Sequence, residues 1–360
     1  MLHVQSGTFS NFVGCHYWNL NDENVDENSA IPLYTMDGRP NLFILESSLQ
    51  MGPVGFPGRP ALHEISSTVK VVEQEQLAIH EYQLHLDELE KDPTMEPRSD
   101  FNWNDVKFWS DFWKSRAFPD CKQMLPPAEV VEEKQFWWES HADLEDTPLR
   151  LVMERMDEIH SVAMTLDAVG IFSGRSLDYS EFVRDELSKK SAFQYLPLHG
   201  NFSDSFFINF AKFFDSSASY ATIFPFESKG EISRFSASAL IGVQTHLFCQ
   251  DTISRLNPGL VQPEFSLEDI PGGFRKHLTL PIPFPQDLFP GQNVHAAVHA
   301  CKSGRRKFFL QAGKALENYR VGGKLKGGVV EFDDWKALEE VIAEAADEDS
   351  GAVDDEEDSG

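Results

Sequence analysis

Apolar and polar positions change their period several times along the chain, and each change marks an expected element. A short apolar run (Leu2, Val4) leads into a loop carrying Gly7 and Gly14, followed by His16, Tyr17 and Trp18. Strand, glycine-containing loop and helix in that order can hold a phosphate, because N–H groups at a helix start point at the anion. NDENVDENSA (21–30) is a polar connector, and LFIL (42–45) is a strand ending at Glu46. MGPVGFPGRP (51–60) is a loop, 63–89 is helix-permissive, and Pro93 and Pro97 end that stretch.

Phe108, Trp109, Phe112 and Trp113 fall at helical spacing and predict one core-facing aromatic helix. Leu149, Val152, Met156, Ile159 and Val162 predict a helical face running on from Thr147. VGIFSGRS then reads as a turn, with Ser176 as N-cap of a helix bearing Tyr179, Phe182, Val183 and Leu187. Five phenylalanines between Phe206 and Phe214 predict a further helix, YATIFPF (220–226) a strand, and 238–253 a helix. LTLPIPFP (278–285) is extended, and DDWKALEEVIAEAA is a last helix. Helices alternating with short strands predict an α/β fold with a largely parallel sheet.

Composition narrows the class. At 360 residues, 41% hydrophobic and 12% aromatic, the chain suits a globular protein, and 29 Phe against 7 Tyr suit rings used for burial. A formal charge of −27 excludes a nucleic-acid or anionic-membrane binder, which needs a basic face. Residues 344–360 carry acids and no base, which predicts disorder there. Cys15, Cys121, Cys249 and Cys301 form no CxxC pair, which fits a reducing compartment. The opening residues match neither a secretory signal nor a mitochondrial presequence, and no run approaches about 18 apolar residues, so no transmembrane segment is expected.

Candidate chemistry is sparse. His295 and His299 would share a helix face with Cys301 nearby, but Lys302, Arg305, Arg306 and Lys307 would repel a cation, so no metal is expected. GxSxG, HExxH, GxxxxGK[ST] and GxGxxG motifs are absent. Ser173-Gly174-Arg175 before a helix is a weak phosphate-loop signal against a default structural turn.

HVQSGTFSNFVGCHYWN resembles the start of the tubulin/FtsZ-like fold, and SNFVGCHYWNLND more narrowly resembles the Misato family of tubulin-related proteins. PLYTMDGRPNLFILESSLQMG, FWSDFWKSRAFP, DEIHSVAMTLDAVGIFSGRSLDYSEFVRDEL, SASALIGVQTHLF and AVHACKSG are similar to later blocks of that family, in order. The resemblance implies a tubulin/FtsZ-like, Rossmann-type parallel sheet flanked by helices over 1–225, with linkers near 21–30, 51–62, 93–100 and 126–146. It further implies a smaller C-terminal α/β part over 226–343, before the acidic tail (344–360).

The family's GTP loops would map to Gly7, Thr8, Asn11 and Gly14, and to Gly170, Ser173, Gly174 and Arg175. Both are degenerate. Phe9 and Phe12 would put rings where phosphates need polar company, and AVGIFSGRS lacks the consecutive glycines of an N–H nest. No GxxNxD-type run precedes LTLPIPFP. The resemblance therefore implies a non-catalytic protein without a required cofactor, acting in mitochondrial distribution and morphology, in tubulin folding or in chromosome segregation. Its implied partners are proteins, the cytosolic chaperonin or tubulin among them, with peripheral attachment to mitochondria from the cytoplasm. The alternatives are a tubulin-class GTPase that binds GTP or GDP in a degenerate site, and a polymerising subunit.

Overall fold

Three short runs, Leu2–Ser6 (β1), Leu42–Ser47 (β2) and Ser161–Leu166 (β4), are buried at every position, the pattern of strands covered on both faces. The computed structural model describes residues 1–24, 33–35, 40–48, 50–52, 78–114, 122–125, 136–139, 147–187, 191–197, 203–216, 221–223, 232–249, 259–266, 274–285, 288–289, 293–301, 305–321 and 332–347. The remaining strands are β3 (Lys122–Leu125), β5 (Ser191–Tyr195), β6 (Ala221–Ile223), β7 (Gly259–Ser266), β8 (Phe274–Thr279) and β9 (Asn293–Cys301). They form one sheet in the order β3-β2-β1-β4-β5-β6-β7-β9-β8.

Neighbours from β3 to β7 are parallel, with Val4 opposite Phe43 and Met164 in the middle. β9 pairs antiparallel with β7 and with β8. Parallel neighbours need crossovers, and helices supply them. These are α1 (Thr8–Glu23), α2 (Glu81–Lys91), α3 (Thr147–Glu154), α4 (Phe172–Glu186), α5 (Asp204–Ser216) and α6 (Arg234–Leu247), with α7 (Arg305–Val321) and α8 (Phe332–Asp347) closing the fold. The α/β class and the parallel, Rossmann-like sheet flanked by helices are as expected. The sheet runs through the boundary drawn at 225/226, since β6 pairs with β7.

Strand order places the site. The chain steps outward from β1 to β2 and β3, then returns to the other side of β1 as β4. That reversal makes the carboxyl ends of β1 and β4 a topological switch point, the place where ligands bind in open α/β sheets.

α1 is buried from Phe9 to Asn21. On its sheet side Gly14 lies against Gln5, where a Cβ would meet the amide nitrogen at 2.0 Å. On its outer side Gly242 of α6 lets that helix approach, with His16 Cβ 2.7 Å from where a Cβ would sit. Two glycines therefore set how tightly α1 is held between sheet and α6.

Several local expectations are corrected. Gly14 and Asn11 lie inside α1, which starts at Thr8, so the opening loop is a single turn at Gly7. Residues 21–23, expected as linker, belong to the same helix. Phe101–Trp113 forms two 3-10 turns, Trp103–Asp105 and Trp109–Phe112, in place of an aromatic α-helix. Asp111 accepts from Lys107 N and Phe108 N, both at 3.0 Å, and such local side-chain bonds compete with a helix. Burial of Trp109, Phe112 and Trp113 does follow the expectation.

The helix from Thr147 stops at Glu154. Its end tightens through Arg155 N to Val152 O and Met156 N to Met153 O, and SVAMTL becomes β4. Ser176 caps nothing: α4 begins at Phe172, and the Ser176 hydroxyl lies 2.6 Å from Ser6 Oγ. His295, His299 and Cys301 are on strand β9, not on a helix. Glu344–Asp347, placed in the tail, belong to α8, and 348–360 lie outside the described residues, as does most of the linkers at 25–30, 53–62, 126–135 and 140–146.

Candidate functional site

At the switch point the backbone turns from β1 into α1 at Gly7, with φ 106°. A helix start leaves N–H groups without intrahelical partners and carries partial positive charge. Gly7 has no side chain to cap them. The cap comes from the end of β4: Asp167 Oδ2 accepts from Phe9 N at 3.0 Å, and Oδ1 accepts from Ser10 N at 2.8 Å and Ser10 Oγ at 2.6 Å. Asp167 N in turn donates to Ser6 O at 2.8 Å. The carboxylate stands where a phosphate bound to this helix start would stand.

Glu46, at the end of β2, is the second carboxylate. Its Oε1 accepts from Thr8 Oγ1 at 3.0 Å and Ser47 N at 2.7 Å. Its Oε2 accepts from Asn11 Nδ2 and Trp109 Nε1, both at 2.9 Å. Asn11 Nδ2 also donates to Leu45 O at 3.0 Å, tying α1 to β2. Burial pushes Glu46 up to about 7, against the pull of these donors and with help from the charge on Asp167. Burial likewise pushes Asp167 up to about 6, opposed by Ser10, Phe9 and the charge of Arg234. Arg234 is exposed at the start of α6, with its guanidinium 5.6 Å from the Phe12 ring centroid.

The second expected loop follows β4. Gly170 has φ 59°, and its carbonyl accepts from Ser173 N at 3.1 Å and Ser173 Oγ at 2.8 Å. Ser173 and Gly174 are buried in the first turn of α4, and Arg175 is half-buried there. Asn209 of α5 fastens the segment by donating to Ala168 O at 2.9 Å. The structure thus brings Gly7, Thr8 and Asn11 onto the Glu46–Asp167 pair, and sets Gly170 beyond Asp167 on the same strand end. Gly14 is elsewhere, under α1 against β1. Phe9 and Phe12 are buried in the core, Phe12 with its ring 5.5 Å from that of Phe112, so the anion position is taken by Asp167 and not by a ring.

Sequence reasoning missed Asp167, Ser10 and Trp109. Chemically, the oxygens of both carboxylates are lined by donors, an arrangement that suits an anion and not a cation cage. An incoming phosphate would have to displace Asp167 and sit beside Glu46. Among the described residues no group of three or more His, Cys, Asp or Glu could hold a metal ion. No helix among the described residues is long and apolar enough to cross a membrane. Comparison of the chain with protein-family models and with curated proteins finds no match.

Proposed function

We propose that this chain is a non-catalytic, tubulin-like protein of the Misato type that acts in mitochondrial distribution and morphology through protein–protein contacts. The observation that carries the non-catalytic part is the Asp167 carboxylate on Phe9 N and Ser10 N. The backbone donors that a nucleotide phosphate would use are engaged within the chain. Losing one well-placed stabiliser of transition-state charge costs about 10²–10³ in rate, and here the cradle itself is filled. The sheet order, with its switch point between β1 and β4, supports a nucleotide-fold ancestry for the scaffold.

The partners are proteins, with the cytosolic chaperonin and tubulin as the first to examine, and attachment to the mitochondrial outer surface is peripheral and protein-mediated. Mass spectrometry of proteins and nucleotides that co-purify with the native chain tests this reading. The expected result is recovery of such partners with no bound nucleotide, together with altered mitochondrial distribution when the protein is depleted. Stoichiometric GTP or GDP that turns over would replace it with the tubulin-class GTPase reading.

A further inference from the structure

The β1–α1 turn is shaped around the Asp167 carboxylate from two directions. A Cβ on Gly7 would lie 2.3 Å from Asp167 Oδ2 and 2.4 Å from its Cβ and Cγ, so only glycine lets this side chain in. From the helix side, two backbone N–H groups and the Ser10 hydroxyl converge on it at 2.6–3.0 Å. The Asp167 side chain is fully enclosed, at 4% exposure.

We infer that Asp167 is the built-in ligand of α1, a carboxylate delivered from the neighbouring strand to stand in for an external oxyanion and to pin α1 to β4 without nucleotide. This rests on the nucleotide-free reading proposed above and deepens it. The turn requires an anion, and the chain supplies one. Two further charged groups bear on the position. Glu46 opposes any second anion beside Asp167, and Arg234 favours a single negative charge there.

Two substitutions test the inference, read by thermal unfolding at pH 7 with sodium formate or inorganic phosphate against equal ionic strength of chloride. In Asp167→Asn the side chain keeps its volume, but its amide NH2 must face Phe9 N–H or the Ser10 donors whichever way it turns. The expected result is a Tm several degrees below the wild-type protein and no response to formate. In Asp167→Ala the position is open, and formate is expected to raise Tm by about 2–4 °C at ten times its Kd and to go on raising it with the logarithm of its concentration, or to be required for refolding. Phosphate should act more weakly beside Glu46, and wild-type protein should respond to neither anion. An Asp167→Asn protein as stable as wild type would overturn the inference. So would an Asp167→Ala protein that responds alike to formate and chloride. Nucleotide bound to the wild-type chain would instead overturn the functional reading, so the two failures are distinguishable.

Discussion

Three histidines are walled into the core, and acid should unfold the protein through them. His3, His16 and His246 have no exposed surface. His3 Nε2 meets Thr165 Oγ1 at 3.0 Å, and His16 Nε2 meets Phe235 O at 3.1 Å among the rings of Phe112, Phe235 and Phe284. Neither ring nitrogen of His246 has a hydrogen-bond partner among the described residues. Burial pushes all three down to about 3. Between that value and the ordinary one near 6.5, the unfolded chain binds the protons and the folded chain does not, so stability falls as pH falls. From pH 7 to pH 5 each histidine costs about 2 kcal/mol, or about 6 kcal/mol for the three.

Glu46 and Asp167 act in the opposite sense. Their folded values are raised, the folded chain holds their protons, and together they return about 3.5 kcal/mol over the same interval. The histidines win, leaving a net loss of about 2 kcal/mol against a typical total stability of about 5–15 kcal/mol. Urea titrations at pH 7, 6 and 5, followed by far-ultraviolet circular dichroism and tryptophan fluorescence, measure this. His246→Phe removes one of the three protons and should shrink the pH 7-to-5 loss by about 2 kcal/mol. A His246→Phe protein that loses as much stability as wild type over that interval would mean that the buried His246 ring does not set the acid response.

Three further substitutions probe the packing and the site. Gly242→Ala places a Cβ 2.7 Å from His16 Cβ and should cost about 1–3 kcal/mol by overpacking, visible as a lower urea midpoint with unchanged slope. Trp109→Phe leaves Glu46 Oε2 without its indole donor and should cost about 1.5–3 kcal/mol at pH 8, where Glu46 is ionised, shrinking at pH 5 where Glu46 holds a proton. Gly7→Ala combines a φ of 106° with a clash on Asp167, and a loss below about 1 kcal/mol in the same titration would contradict the fit described here.

Sequence pattern reached some of this directly, and tertiary structure governs the rest. The runs at β1 and β2, the phenylalanine helix α5, α6 and α8 follow from local periodicity, because each buries a simple face or both faces. Gly14 reads as a loop residue since glycine weakens a helix by about 1 kcal/mol against alanine. In the fold that cost is outweighed by contact with Gln5, which leaves no room for a side chain. The aromatic stretch near Trp109 keeps its burial but not its helix, because Asp111 and Asn102 bond their own backbone neighbours.

Asp167 was hidden for a different reason. It lies 157 residues from Ser10, and the contact exists only because β4 returns to the side of β1. Locally, Asp167 reads as the polar end of a buried strand. The one signal in the sequence is a carboxylate placed directly after such a strand, which gains meaning once strand order is known. Glu46 was legible as a strand-ending acid, whereas its four donors come from β2 itself, the first turns of α1 and the 3-10 turn at Trp109.

With the anion position of α1 filled from within by Asp167, the chain is expected to fold and persist without nucleotide. Equilibrium dialysis of the wild-type protein against labelled GTP and GDP at neutral pH measures this. A fully folded chain should show no saturable binding of either nucleotide, whereas binding that saturates at one nucleotide per chain would mean that the helix start still takes an external phosphate.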